Sequence, residues 1–159
     1  MPLKIAAKVD AVDRDYFESE IRKLLIPPDI EYIGEINDSE KSSFLSGAIA
    51  LLAPIAWPEP FGLVLIEAMA CGTPVIAFNR GSVPEIIEDG VTGFVVEDEK
   101  GAVAAAQRLS RLSRAAIRRR FEERFTARRM AREYLVVYRS LTEFEALHSR
   151  VAVARASRR

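Results

Sequence analysis

Short apolar runs of strand length alternate with segments of helical pattern through the first two thirds of this chain, and that alternation constrains its fold more than any other feature. Leu3 to Val9 reads as a strand. Ala11 to Leu25 follows as a helix, with Val12, Phe17, Ile21 and Leu24 or Leu25 near helical spacing, and Pro27 and Pro28 end it. Ile30 to Ile33 reads as a second strand, and Asn37, Asp38 or Ser39 caps a helix reaching about Gly47. Ile49 to Ile55 is a third, buried strand. After Pro58 and Pro60 a helix runs from about Phe61 to Cys71, with Gly72 as its C-terminal cap and Pro74 beyond it. Pro74 to Phe78, a short helix at Val83 to Glu88 and a strand at Gly93 to Val96 complete the series. Such a series predicts an α/β fold, a parallel sheet with helices on both faces. Beyond Glu97 the pattern is wholly helical, in segments near 99–112, 113–125 and 127–148. The expected organisation is a core over 1–112, C-terminal helices packed on or beside it over 113–150, and a disordered tail over 151–159.

At 159 residues, 49% of them hydrophobic, the chain has the size of one domain with a real core. Its longest apolar stretch, Ile49 to Trp57, is too short to span a bilayer, and the N-terminus lacks the order of a secretory signal. A soluble, cytoplasmic protein is expected. One cysteine, Cys71, excludes an internal disulfide. With one histidine, His148, soft ligands are too few for a zinc site, and no metal ligand is expected.

The net charge of zero hides a split. From Arg108 onward there are 15 Arg and 5 Glu, a balance of +10, so residues 1–107 carry −10. A basic segment of this kind suits nucleic acid, an anionic membrane surface or an acidic partner, but a solvated helical face is the preferred reading, with peripheral membrane contact kept open and nucleic acid disfavoured.

In an open parallel sheet, ligands lie beyond the carboxyl ends of the strands. The segment Glu59-Pro60-Phe61-Gly62-Leu63 through Glu67 and on to Pro74-Val75 falls there. Gly62 removes a side chain at the first turn, so the amides of Phe61, Gly62 and Leu63 can approach a phosphate or sugar oxygen at the positive end of a helix. Glu59 precedes that helix and Glu67 lies about two turns inside it, roughly 10 Å along the axis. Carboxylates accept strongly from hydroxyl pairs, so one acid could hold a hexose and the other a ribose. The plainer alternative is that Glu59 compensates the dipole and Glu67 is an ordinary exposed helix residue.

The full string resembles the family-4 (group 1) retaining glycosyltransferases, whose hallmark is two Glu separated by seven residues within E-P-F-G-x-x-x-x-E-A-M-A-x-G-x-P-V; every fixed position is matched from Glu59 to Val75. Arg80-Gly81-Ser82-Val83-Pro84-Glu85-Ile86-Ile87, followed by Asp89-Gly90-Val91-Thr92-Gly93, resembles the family's next signature. The resemblance covers residues 3–145. It implies the C-terminal, Rossmann-like half of a two-domain GT-B enzyme that binds a UDP-, GDP- or ADP-sugar and transfers the sugar with retention, without a cofactor or bound metal. Carried over by position, it makes Glu59 the catalytic-site acid at the donor hexose and Glu67 the acid at the ribose. Phe61, Gly62 and Leu63 offer amides to the sugar and distal phosphate. Gly34 and Ile36 lie in the loop that reads the base through main-chain atoms. Pro84 and Glu85 brace the site, with binding and capping roles for Glu85 weighed equally.

The family's C-terminal domain opens with a strand and G-R-x-x-x-x-K-G, whose Arg and Lys neutralise the diphosphate, and no such segment occurs here. The resemblance therefore implies a truncated hexosyltransferase polypeptide lacking that first strand, its helix and the N-terminal acceptor domain, and inactive by itself. A missing central strand leaves either a gap or a direct pairing of two others, and an open edge invites a homodimer or a separate N-terminal-domain polypeptide. The face bearing Tyr134, Val137 or Tyr138, Leu141 and Phe144 could serve the same association or pack on its own sheet. The competing readings are a non-catalytic nucleotide-sugar-binding or oligomerisation module, and a receiver-type signalling domain. The second is opposed by Ala53-Pro54-Ile55 where its phospho-accepting Asp would stand.

Overall fold

The structure is a computed structural model; it describes the backbone of residues 1–156 and the side chains of residues 1–142. Two compact units are present, Met1–Ala48 and a second that begins at Ile49. Among the described residues there are two sheets, a parallel pair of strands in the first unit and three parallel strands in the second.

In the first unit, β1 (Leu3–Ala6) pairs parallel with β2 (Ile30–Gly34). Tyr32 is half-buried, and its hydroxyl donates to the Ala7 carbonyl at 2.7 Å, extending the contact past the end of β1. The connection over 11–24 is helical but not one regular helix: it passes through a 3-10 turn, α1 (Arg14–Tyr16), a π turn (Phe17–Ile21) and a second 3-10 turn. Its inward side is Phe17, Ile21 and Leu25, spaced by four, whereas Val12 and Leu24 are exposed. The Phe17 ring lies 4.8 Å from that of Tyr32. α2 (Asp38–Gly47) begins at Asn37, whose side chain accepts from the Ser39 and Glu40 amides while Glu40 accepts from the Asn37 amide, a complete capping box.

In the second unit, β3 (Leu51–Ala53), β4 (Val75–Phe78) and β5 (Gly93–Val96) lie in that order, all parallel. Successive residues of a strand face opposite sides. Ile76 of β4 and Phe94 of β5 pack with Ala105 and Leu109, so α5 (Glu99–Ala106) covers one face. α3 (Leu63–Ala70) packs against β3 and β4 and buries Leu65, Ala68 and Met69. A buried parallel sheet needs this double cover, because crossover helices return on its faces. Burying Leu65 or Met69 completely stabilises the unit by about 1.5–3 kcal/mol each.

α4 (Val83–Ile86) carries Pro84 in its first turn. α6 (Arg114–Arg124) begins at Ser113, whose hydroxyl accepts from the Ala116 amide, and it packs on α3 through the fully buried Ile117. α7 (Ala127–Ala156) extends six residues into the segment expected to form the tail. The sequence-based readings of the Phe144 and His148 side chains, and of residues 157–159, lie outside the described residues. Among the described residues no helix is long and apolar enough to cross a membrane.

Candidate functional site

The segments that follow the carboxyl ends of β3 and β4 carry most of the residues singled out by sequence. Gly62 is the key to the first. With φ of +75° it turns the chain in the left-handed region directly before α3, which few other residues tolerate. That turn brings the Glu59 side chain back over the helix start. Glu59 Oε1 accepts from the Gly62 amide at 3.0 Å and from the Phe61 amide at 3.4 Å, while Trp57 Nε1 donates to Oε2 at 3.3 Å. The first amides of a helix have no partner inside it, so a carboxylate there satisfies them and meets the positive end of the dipole. Phe61 and Leu63 are exposed around this turn, and Gly62 is buried.

The second motif holds the first in shape. Ser82, itself buried, donates its amide to the Glu59 carbonyl at 2.9 Å and its hydroxyl to the Phe61 carbonyl at 2.9 Å. Gly81 lies so close that a Cβ there would stand 2.6 Å from the Glu59 nitrogen and closer still to its carbonyl oxygen. The small residues of Arg80-Gly81-Ser82 are therefore explained by backbone packing against the Glu59 loop. The continuation is structural as well. Buried Thr92 accepts the Glu88 amide at 2.9 Å, and Asp89 Oδ1 accepts the Val95 amide at 3.0 Å, fixing the turn that feeds β5.

Glu67 is half-buried in the second turn of α3, so the description of it as an ordinary exposed helix residue does not hold. Glu85 is exposed in the first turn of α4, and its carbonyl is engaged by Arg124. Gly34, with φ of +80°, ends β2 and accepts the Ala7 amide at 3.0 Å; it and half-buried Ile36 belong to the first unit, whereas Glu59, Phe61, Gly62, Leu63, Glu67 and Glu85 belong to the second. Lys8 and Asp10 form an exposed ion pair at 2.6 Å.

Sequence reasoning missed the arginines of α6. They were read as a solvated face, yet several bind main-chain carbonyls of the site helices. Arg118 donates to the Ala70 carbonyl, and Arg114 donates to Thr73 Oγ1 at 2.8 Å and to the Cys71 carbonyl at 3.5 Å, all at the C-terminal end of α3. Arg124 donates to the carbonyls of Glu85 at 2.5 Å and Ile86 at 3.3 Å, at the end of α4. Arg120 pairs with Glu88 at 3.0 Å. Cations at helix C-termini are favourable by the dipole and satisfy carbonyls that the helix leaves open. The spacing of four between Arg114 and Arg118, and between Arg120 and Arg124, was the available signal, since it puts each pair on one side of a helix.

Residues 6–128 match the family model described as "Glycosyl transferases group 1". The chain is 30% identical over 126 residues to N-acetyl-alpha-D-glucosaminyl L-malate synthase of Bacillus anthracis, covering 74% of this chain and 32% of that protein. It is 33% identical over 92 residues to phosphatidyl-myo-inositol mannosyltransferase of Mycobacterium leprae, covering 58% and 25%. Among solved structures it is similar to sucrose-phosphate synthase of Thermosynechococcus elongatus, with a TM-score of 0.76, 28% identity, and 89% of this chain against 38% of that one. The Anabaena protein HepE in complex with UDP and glucose gives a TM-score of 0.75 at 21% identity, covering 87% and 40%, and shows the shared fold. The chain thus spans a third or less of these two curated relatives and about two fifths of the two solved chains. With a family model matched over most of its length and with the GT-B fold of its structural neighbours, the chain belongs to the group 1 glycosyltransferases.

Proposed function

We propose that this chain is the donor-binding part of a retaining hexosyltransferase and holds a nucleoside-diphosphate sugar at the carboxyl ends of β3 and β4. The observation that carries the reading is the Glu59–Gly62 loop, closed on its own amides and locked from below by Ser82 and Gly81. A turn of this kind holds the Glu59 carboxylate and the two amides it accepts from in fixed positions, so that a donor phosphate takes the place of the carboxylate on those amides, and the carboxylate turns to the hexose, without the loop itself having to be ordered. Glu59 serves the hexose hydroxyls. Phe61, Gly62 and Leu63 serve the sugar and distal phosphate through their amides, Glu67 serves the ribose, and Glu85 braces the loop. HepE, which shares the fold, is a protein in complex with UDP and glucose, and this supports the ligand class.

The site works in the cytoplasm without a cofactor or metal, with UDP-, GDP- or ADP-sugar as the donor. The acceptor is supplied by an N-terminal domain, in the same or another polypeptide, and the chain transfers no sugar without it. Homodimerisation is part of the same reading. A non-catalytic nucleotide-sugar-binding or oligomerisation module derived from such an enzyme is the second reading.

Calorimetric titration of UDP-glucose, GDP-mannose and ADP-glucose, with Glu67→Ala as control, tests the proposal. Saturable binding of one donor that is lost in the variant supports it; no binding by the wild-type chain at millimolar donor overturns it.

A further inference from the structure

Between Leu51 and Glu99, the stretch holding both motifs and all three sheet-edge loops, Arg80 is the single Lys or Arg, and it stands among eight acids: Glu59, Glu67, Glu85, Glu88, Asp89, Glu97, Asp98 and Glu99. A diphosphate entering so acidic a surrounding needs a counter-charge. Arg80 follows the carboxyl end of β4 by two residues, and its neighbour Gly81 is packed on the Glu59 backbone, so the Arg80 Cα is fixed within one residue of the loop that carries Glu59. The next residue, Ser82, is bonded to that loop through the Glu59 and Phe61 carbonyls, so the backbone on either side of Gly81 is held against it.

The guanidinium is parked, not buried. Nη1 donates to the Asn79 carbonyl at 2.8 Å and lies 3.4 Å from Glu97 Oε2, with 43% of the Arg80 side chain and 68% of that of Glu97 exposed. A long, exposed ion pair contributes little and is readily exchanged. Asn79 Nδ2 donates to the other oxygen of Glu97 at 2.8 Å, so Glu97 keeps a partner when Arg80 leaves. The guanidinium fork matches phosphate oxygens in a way a single exposed carboxylate oxygen at 3.4 Å does not.

We infer that Arg80 is the diphosphate-binding cation of this site, held in reserve by Glu97 and transferred to the phosphates when a nucleoside diphosphate binds. The inference rests on the donor-site reading. It assigns to the second motif the positive charge that the first, acidic motif lacks.

The test is calorimetric titration of UDP, UDP-glucose, GDP and GDP-mannose into the full chain and into Arg80→Gln, Arg80→Lys, Glu97→Gln and the double variant Arg80→Gln/Glu97→Gln. Arg80→Gln is expected to weaken the bound nucleotides by about tenfold or more, the scale of one charge-assisted hydrogen bond, and Arg80→Lys to recover part of the loss. Glu97→Gln is expected to tighten them, and that gain is expected to vanish in the double variant. A merely structural pair would not give opposite signs. Equal affinity of wild type and Arg80→Gln, with binding still lost in Glu67→Ala, overturns the Arg80 assignment and leaves the donor site standing. Failure of the wild-type chain to bind any of the four nucleotides overturns both.

Discussion

Glu59 and Gly62 close on each other: the carboxylate of the first accepts the amide of the second at 3.0 Å, across the turn into α3. The residue assigned to the sugar thus also completes the helix start in the free chain. Removing the acceptor of such amide hydrogen bonds costs about 0.5–1.5 kcal/mol. Glu59→Ala is expected to lower stability in urea unfolding by about 1 kcal/mol, and Glu59→Gln, which keeps an acceptor oxygen, by less than half as much. If the free chain is indifferent to both changes, the carboxylate is not serving the amides.

Gly81→Ala separates close approach from backbone conformation. Gly81 has φ of +52° and a Cβ there meets the Glu59 backbone, whereas Gly90 has φ of +73° with nothing within 4 Å of its would-be Cβ. The left-handed region costs a side chain roughly 1–2 kcal/mol, which is the whole expected loss for Gly90→Ala. For Gly81→Ala the expected loss is larger, more than about 2 kcal/mol, because backbone atoms must also move. Equal midpoint shifts for the two variants would show that the loop yields without resistance.

Arg124→Ala removes two donors from carbonyls at the end of α4. A loss of about 1–2 kcal/mol is expected, in the range for hydrogen bonds to charged groups. Arg119, whose nearest acid is Glu123 at 4.0 Å with both side chains exposed, is the control, and Arg119→Ala is expected to change stability by less than about 0.5 kcal/mol. Amide exchange at Ser82 and Gly62 in Arg124→Ala, followed by NMR, reports whether the clamp reaches the ligand-facing ends of the helices.

The acid limb of stability in the first unit carries a small contribution from Glu18. The Arg22 guanidinium hydrogen-bonds its carboxylate and, with the charges of Arg22 and Arg14, holds it below the ordinary value of 4.5. A carboxyl whose pKa is lower in the folded state adds stability above its unfolded value and loses it as pH falls through the folded one. The difference between wild type and Glu18→Gln is therefore expected at neutral pH, to shrink below pH 4.5, and to fall with added salt because the pair is exposed. Persistence of the difference in strong acid would assign it to packing.

Much of this was legible in the sequence, for identifiable reasons. The strands were found because parallel strands covered on both faces read as continuous apolar runs, as Val75 to Phe78 does. Their lengths were overestimated at Leu3 to Val9 and Ile49 to Ile55, since apolar residues continue past the last ladder bond. The helix over 11–24 was expected to be regular because periodicity records which residues are apolar and not how many residues each turn takes. At the site, Glu59, Gly62 and Glu67 were visible through their motif. The bracing role of Ser82 and the contacts of Arg118 and Arg124 were not, because their partners are main-chain carbonyls, and a carbonyl leaves no trace in residue identity.

That last property gives the α6 clamp an uneven genetic signature. Arg114, Arg118 and Arg124 recognise the carbonyls at Ala70, Cys71, Glu85 and Ile86, groups that every amino acid provides. The donor side of each contact is exacting and the acceptor side is permissive. Drift at the ends of α3 and α4 can therefore alter their side chains, and with them the outer wall of the site, while the anchorage stays as it was. A sugar-binding loop mounted in this way is free to be refitted without its mounting being redesigned.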